Sequence, residues 1–448
     1  MDAQDSQEAA GLPARRLAAS SVAHLLGKGR GTALDDAIDT GRDKAGMAPQ
    51  DLGLARAIAA TTFRHLGVIR HALGRRLDQG LPADQPGLLA VLATGAAQIL
   101  YLNVQDHAAV DLAVRLAKTE PSLRHLGGLV NAVLRRVARE QEAIRREGDA
   151  DPLGLNTPAW LARRWTATYG AQAARAIAAA HARGASLDLT TRGDPAALAG
   201  SLGGRVLPTG LGLRLDDART PVPQLPGFEA GTWWVQDAAA ALPARLLAPE
   251  PGARVADLCA APGGKTAQLA AAGAAVLAVD RSAARLRRLE ANLARLGLAA
   301  EVRAADALTL PEDEPFDAVL LDAPCTATGT VRRHPDVAWT KHEADLARLA
   351  ALQARLLDKA ARLVRPGGRL VYCTCSLEPE EGEAQAAAFL ARTPGFARLP
   401  VAPDEVGGDA AFVTPAGDLR TLPSHWPPAP GERGGLDGFY AVRLRREA

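Results

Sequence analysis

The stretch Asp257-Leu-Cys-Ala-Ala-Pro-Gly-Gly-Lys-Thr266 decides how this 448-residue chain is read. It follows the apolar run Arg254–Leu258 and opens a helical pattern. It therefore reads as a turn from strand into helix, where backbone N–H groups and the helix N-terminus can meet the polar end of a ligand. Gly263 and Gly264 allow close backbone approach. Two nucleotide-binding motifs nearly fit and then fail. A Walker A loop needs Gly five residues before Gly264, and that position is Cys259. G-x-G-x-x-G is also missing, so the loop is neither an ordinary ATPase loop nor a dinucleotide fingerprint.

Outward from this loop, the apolar runs Ala274–Val279, Phe316–Leu321 and Arg369–Tyr372 alternate with helical stretches. That alternation predicts a parallel sheet with crossover helices. The strand after the loop ends in Asp280, about 20 residues on, where an acidic side chain suits two ribose hydroxyls. A third strand-like segment ends at Asp306 and a fourth at Asp322. Any one of these could be a cap or a turn residue. An ordered series at successive strand ends points to the side where open α/β sheets bind ligands.

The fourth strand runs into Asp322-Ala-Pro-Cys325 and the fifth into Cys373-Thr-Cys375-Ser376. A buried cysteine is usually inert packing, but Cys325 and Cys375 both fall just past strand ends on the side of the loop. Cys373-x-Cys375 lacks zinc-type spacing and no second pair completes it, so no metal site is expected. Redox pairing needs Cys-x-x-Cys, which is absent. Nucleophilic catalysis remains: at a pKa of about 8.5, a few per cent of a free thiol is thiolate at neutral pH. These residues alone do not decide which cysteine attacks.

Composition bounds the rest. Lys plus Arg is 52 and Asp plus Glu 50, a formal +2, which excludes a strongly basic nucleic-acid coat protein without excluding nucleic acid. Hydrophobic content is 48% with only 4% aromatic, so Ala, Leu and Val must build the core. Four cysteines cannot form a disulfide scaffold, and a reducing, cytoplasmic setting is expected. The opening MDAQDSQEAAGLPARR has no basic stretch leading into an apolar run. The charge-free stretch between Asp84 and Asp106 has an apolar centre, Gly87–Leu102, short of the ~20 residues of a membrane span; it predicts a buried helix.

Three regions are expected: 1–148, all-helical; 149–245, a small α+β module; and 246–448, the α/β sheet. The first shows helical periodicity at Leu17, Ser21, Leu25 and at Leu54, Ile58, Phe63, Leu66, Ile69. Turn signals separate its helices at 27–29, 80–82 and 120–121, and the charged, Gly/Pro-containing stretch 145–154 reads as a linker. The second predicts a helix from Pro158 towards Gly170 and strands at Leu187–Thr191, Leu211–Leu215 and Trp233–Val235.

DLCAAPGGKT (257–266), the AVDRS strand end at Asp280, LLDAPC (320–325), GTVRRHPDVAW (329–339) and YCTCS (372–376) together resemble the RsmB/NOP/Sun family of RNA cytosine-C5 methyltransferases, in the family's order. The resemblance covers about 155–448. It implies a class I methyltransferase fold, Rossmann-like with a mostly parallel seven-stranded sheet, and S-adenosylmethionine as cofactor. In this resemblance Cys259, Ala260, Ala261, Pro262, Gly263, Gly264 and Lys265 surround the cofactor's methionine end. Asp280 holds its ribose, Asp306 lies by its adenine, and Arg285 and Asp322 belong to the same pocket. The nucleophile of the Thr-Cys motif maps to Cys375, and the Pro-Cys cysteine, Cys325, assists resolution of a covalent complex. Cys373 departs from the small residue common in the family; strand alternation places it on the face of Cys375.

The implied chemistry follows from cytosine itself, whose C5 is a weak nucleophile. Addition of the Cys375 thiolate to C6 makes an enamine-like C5 that attacks the methylsulfonium; loss of the C5 proton and of the thiol completes the cycle. Asp322 is suited to the cytosine N3/N4 edge and Lys265 to orienting base and cofactor, and the base must be unstacked to enter. Arg332, Arg333 and His334 either hold the RNA backbone or shape the loop.

Basic helices offer a second RNA contact. Between Asp51 and Asp78 lie five arginines, including Arg64, Arg70, Arg75 and Arg76, and no acid; between Pro121 and Arg146 lie six, including Arg135 and Arg136, against two Glu. They form either a phosphate-binding face or a solvated helix surface. AAVDLAVRLAK (108–118) and GLVNAVLRR (128–136) resemble the NusB-like RNA-binding domain over about 14–145, more loosely than the catalytic match. PAWLARRW (158–165) and WWVQDAAA (233–240) resemble the family's small RRM-like substrate-binding region. This domain order implies a 16S rRNA cytidine as target; a monomer without membrane or metal partners is expected. Another rRNA or tRNA cytidine, or a non-catalytic RNA-binding assembly or antitermination factor, are the alternatives; the intact Cys375, Cys325, Asp322 and loop argue against the last.

Overall fold

The structure, a computed structural model, describes residues 11–27, 32–78, 80–81, 84–216, 220–430 and 432–448. The acidic opening at 1–10 and the turn signals at 28–29 and 82 lie outside them. The chain forms two compact units, one of residues 1–184 and 331–342 and the other of 185–330 and 343–448.

The first unit is all-helical and is built around helix Pro86–Tyr101, of which thirteen of sixteen residues are buried. This is the apolar stretch read as a buried helix. Its polar members turn inward on the backbone: Thr94 Oγ1 donates to Ala90 O (2.8 Å) and Gln98 Nε2 to Thr94 O (2.9 Å). At Gly95 a Cβ would stand 2.7 Å from Leu134 Cδ1, so the missing side chain sets the close approach of helix Gly127–Arg139. Among the described residues no helix is long and apolar enough to cross a membrane.

The stretch read as a linker is helical instead, in Gln141–Ala150 and Pro152–Asn156. Ile144 is buried, Gly148 lies against Val68, and Asp151 caps the second helix by accepting from Gly154 N (2.8 Å). Its charges belong to the outer face of an amphipathic helix, a pattern that resembles a linker in composition alone. The helix expected from Pro158 runs on to Arg183, broken at Gly170, whose φ of +83° few other residues could adopt. It belongs to the helical unit, not to the module that follows it in sequence.

The second unit opens with a four-stranded antiparallel sheet, β1 (Leu187–Thr191), β2 (Arg205–Val206), β3 (Gly212–Leu215) and β4 (Trp233–Val235), in the order β2-β3-β1-β4. Its buried pair, Arg214 with Asp188, is bidentate at 2.6 and 2.7 Å. Asp188 also accepts from Ala238 N (3.1 Å), tying this sheet to helix Ala238–Leu247.

The large sheet contains β5 (Arg254–Leu258), β6 (Ala275–Asp280), β7 (Glu301–Ala304), β8 (Phe316–Asp322), β9 (Val364–Thr374), β10 (Phe396–Arg398), β11 (Leu419–Thr421) and β12 (Phe439–Arg446). Seven strands run β10-β12-β9-β8-β5-β6-β7, with short β11 paired to β12 as an eighth. β9, β8, β5, β6 and β7 are mutually parallel, and β12 joins them antiparallel to β9. Alternation divides the strands between two cores. Val319, Leu321, Leu370 and Tyr372 face helices Ala344–Leu363 and Glu383–Arg392; Ala318, Leu320, Val371 and Cys373 face Ala238–Leu247. Strand order reverses beside β5, which opens a crevice above the carboxyl ends of β5, β6 and β8.

Candidate active site

The turn after β5 is held from several sides. Cys259 and Gly263 take positive φ values of 61° and 103°, and helix Gly264–Ala271 starts directly behind them. A Cβ on Gly263 would sit 2.5 Å from Leu289 Cγ, so helix Ala283–Leu296 packs against bare backbone. Asp257 is fully buried, accepting from Thr266 Oγ1 at 2.6 Å, and its Oδ1 has no hydrogen-bond partner. Burial pushes its carboxyl up to about 7. Burial likewise lifts the Cys259 thiol to about 12, with the Asp322 charge adding to it. Cys259 is thus a neutral wall of the loop.

Asp280 accepts from Ala261 N (3.2 Å) with one carboxylate oxygen and from Ser282 N (2.8 Å) with the other. Arg285 donates to Ala261 O and reaches Asp280 at 3.5 Å. The Asp280 side chain therefore braces the loop and also lines a hollow of about 420 Å³. Cys259, Arg285, Asp306, Pro324, Leu352 and Leu356 line it too. Carboxylates at two strand ends with apolar walls between them suit a ligand bearing hydroxyls and a flat ring, which fits an adenosine. Asp306 caps its own turn, accepting from Leu308 N at 3.0 Å. A larger hollow, about 580 Å³, lies at the opposite ends of the strands between Arg254, Ala275, Glu301 and Phe316, away from every sequence-identified group.

Beside the loop, Lys265 is buried with its Nζ 2.7 Å from Asp322 Oδ2 and 4.8 Å from the centre of the Phe439 ring. Burial works against its ammonium, but the Asp322 charge outweighs that and holds the pKa above the ordinary lysine range. Cys373 is buried, 3.5 Å from Asp322 Oδ1, and burial keeps it a thiol. It packs into the same apolar cluster as Cys375, as alternation predicts.

Cys325 and Cys375 approach to 3.5 Å between sulfurs, both half-buried, at the ends of adjacent strands β8 and β9. The hydrogen bond with Cys375, then burial, pushes the Cys325 thiol well above its usual range. Either sulfur can donate to the other, and these effects favour the protonated form of Cys325. Gly329 N donates to Cys375 O (3.0 Å), and Gly438 N donates to Gly329 O (2.8 Å). A Cβ on Gly329 would lie 1.9 Å from Gly438 O, so only glycine lets the loop after Cys325 pass this close to the chain entering β12. Neither glycine nor Phe439 was singled out from sequence, because contacts made by bare backbone or across loops leave no local pattern. Among the described residues no group of His, Cys, Asp and Glu is placed to hold a metal ion.

The expected RNA-contact residues separate by exposure. Arg70, Arg135, Arg136 and Arg333 are exposed. Arg75 is exposed too and pairs with Glu147 at 3.3 Å. Arg332 is buried and Arg64 and Arg76 are only partly exposed, with their guanidinium groups already engaged by protein partners. Arg64 donates to His181 O (3.0 Å) and Arg332 O (2.8 Å), Arg76 is held by Glu140 and Ala72 O, and Arg332 is 1% exposed. The segment carrying Arg332 packs within the helical unit, where Asp336 accepts from Leu34 N (3.1 Å) and Trp339 Nε1 donates to Phe63 O (2.9 Å). Arg332 shapes that segment, and His334 is half-buried beside it.

Comparison with known proteins agrees with this geometry. Residues 244–445 match the family described as 16S rRNA methyltransferase RsmB/F, and residues 12–139 match the NusB family. A ribosomal RNA small subunit methyltransferase B of Xylella fastidiosa is 39% identical over 98% of this chain and 99% of its own length. The protein of that name in Salmonella arizonae is 36% identical over 86% and 91%. Among solved structures, a methyltransferase homolog from Pyrococcus horikoshii aligns with a TM-score of 0.54 at 28% identity, over 67% of this chain and 99% of that one. The structure of PH0851 shares the fold with a TM-score of 0.75 at 24% identity, over 97% and 99%. With its two cysteine loops meeting over a class I methyltransferase sheet, and with relatives along nearly its whole length, the chain belongs to the RsmB/F family of S-adenosylmethionine-dependent rRNA cytosine-C5 methyltransferases that carry an N-terminal NusB-like domain.

Proposed function

We propose that this enzyme methylates C5 of one cytidine in 16S rRNA, with Cys375 bonding transiently to C6 and Cys325 assisting its release. The observation that carries the mechanism is the sulfur pair: two cysteine sulfurs 3.5 Å apart at neighbouring strand ends. The Cys375 thiolate adds to C6 and makes C5 nucleophilic. Bound S-adenosylmethionine supplies the electrophilic methyl group, held by the 259–265 loop with Asp280, Arg285 and Asp306 around its nucleoside. Asp322, partly open to the crevice, accepts from the cytosine amino edge, and Lys265 fixes that carboxylate from behind. When C5 has lost its proton to solvent, the C6–S bond breaks and Cys375 leaves as a thiolate, stabilised by the Cys325 S–H. The target base must be unstacked to reach the sulfurs.

The name of the relatives supports the small-subunit rRNA as substrate. The exposed Arg70, Arg75, Arg135 and Arg136 of the helical unit, with Arg333, supply the phosphate contacts. Bisulfite sequencing of rRNA from cells with and without the gene tests the target: one 16S position should lose its mark, and unchanged 16S rRNA would refute the assignment. In vitro, Cys375→Ala should abolish methyl transfer and Cys325→Ala should trap a protein–RNA adduct. The reverse pattern would exchange their roles.

A further inference from the structure

The reaction needs Cys325 to stay within reach of Cys375. The β8–β9 pairing ends at Asp322 and Cys373, and beyond it the main chains meet at Ala323 N–Cys373 O (2.9 Å) and Gly329 N–Cys375 O (3.0 Å), neither of which holds the residues flanking Cys325 on both sides. A buried side chain does. Glu381 is fully buried and its carboxylate accepts from Thr326 N at 3.0 and 3.1 Å, from Thr326 Oγ1, and from Gln353 Nε2 at 3.0 Å. Gln353 Nε2 also donates to Pro324 O at 2.9 Å. The residues on both sides of Cys325 are thus fixed to one carboxylate–amide pair. On its other side, the Glu381 carbonyl accepts from Thr374 Oγ1 (3.1 Å), the residue before Cys375, and from Tyr372 OH (2.7 Å). Thr326 Oγ1 further contacts Ser376 Oγ at 3.3 Å, directly after Cys375.

We propose that Glu381 is a positioning residue for release of the methylated base: it sets the spacing of the two sulfurs by holding Thr326 through its carboxylate and Thr374 through its carbonyl. This rests on the covalent reading above. A buried carboxylate is retained only when its lone pairs are filled, and here the donors that fill them are the neighbours of Cys325. The negative charge also lies near enough to Cys325 to favour its protonated form. Replacing the carboxylate by an amide puts an NH2 group against the Thr326 N–H or the Gln353 amide, and one donor must move away. The loop that carries Cys325 moves with it, and elimination slows: loss of the C5 proton to solvent, formation of the C5–C6 double bond and breaking of the C6–S bond belong to one elimination, and without its S–H donor the Cys375 thiolate is a poorer leaving group, so the methylated adduct persists.

The test compares Glu381→Gln, Thr326→Val and Cys325→Ala with the parent enzyme on an unmodified 16S rRNA transcript and S-adenosylmethionine. Glu381→Gln should lose about ten- to a hundredfold in kcat, as a displacement of about 1 Å at a reacting group does. KM for RNA and for cofactor should stay within twofold. Denaturing gels should show a protein–RNA adduct, as for Cys325→Ala, and Thr326→Val should shift the same way by a smaller factor. A structural role alone would lower the folded fraction without trapping adduct. Adduct in Cys325→Ala but none in Glu381→Gln overturns this proposal alone. Absence of adduct from Cys325→Ala as well overturns the covalent reading and this proposal with it.

Discussion

The carboxyl of Asp257 should make stability depend on pH in a way one substitution removes. It lies at the end of β5, fully buried, with Thr266 Oγ1 as its hydrogen-bond donor and one oxygen without a partner. Burial raises it from 3.8 to about 7. The folded chain therefore holds this proton where the unfolded chain has released it, and stability falls as pH rises between those two values. Below 3.8 both states are protonated and above 7 both are ionised, so the slope is confined to that window. A shift of about three units corresponds to about 4 kcal/mol in full, with about 2–3 kcal/mol falling between pH 5 and pH 8.

Asp257→Asn keeps the shape and the Thr266 bond and cannot ionise. The variant should match the parent near pH 4 and exceed it increasingly up to pH 8. Protection of the β5 amides from hydrogen exchange across a urea series, corrected for intrinsic rates at each pH, reads this difference in the unit that contains Asp257. Two units need not unfold together, which is why a local probe is preferable to a global melt. A difference between variant and parent that stays constant from pH 5 to pH 8 would refute the reasoning.

Two further outcomes follow from groups outside the crevice. Arg214→Met strands the Asp188 carboxylate, buried and bonded to Arg214 at 2.6 and 2.7 Å, and should destabilise the second unit by about 3–5 kcal/mol in denaturant titrations. Alanine at Arg70, Arg135 and Arg136 together should flatten the salt dependence of RNA binding, lowering the log–log slope by about 2–3, with kcat on saturating RNA unchanged. Retention of the parent slope in filter binding would remove these helices from the RNA contact.

Much of the catalytic fold was legible because its signals are local. β1, β4 and β5 begin and end where the apolar runs do, and β8 is only one residue longer than its run. The buried helix Pro86–Tyr101 was legible for the same reason: apolar side chains surround it on every face. Illegible features depend on partners distant in sequence. The stretch 145–154 has the composition of a linker and folds because Gly148 packs on Val68 and Arg145 bonds to Leu100 O (3.1 Å). Arg64, Arg76 and Arg332 look like their exposed neighbours in sequence, and only tertiary packing turns them inward. Glu378, Glu380, Glu381 and Glu383 form an undifferentiated acidic run in the sequence. In the fold, Glu381 is enclosed by donors while Glu383 reaches outward to Arg420 at 2.6 and 2.9 Å.

The acidic strand ends carry the same lesson into the chemistry. Read in sequence, Asp257, Asp280, Asp306 and Asp322 form one series facing one ligand. In the fold they divide by depth. Asp257 is sealed beneath the loop and kept from ionising freely, and Asp280 spends its oxygens on the loop backbone while still lining the hollow. Asp306 caps a turn at the rim, and only Asp322 is paired with a buried cation beside the sulfurs. A carboxylate facing an electron-rich base would repel the negative charge developing on the ring. With Lys265 at 2.7 Å, the Asp322–Lys265 pair is close to neutral overall, and Asp322 can accept from the base's amino group without adding a net charge. In the proposed mechanism the pairing of loop and strand end therefore belongs to the catalytic arrangement beside the two cysteines, and it gives the buried lysine of the 257–266 stretch its counter-charge.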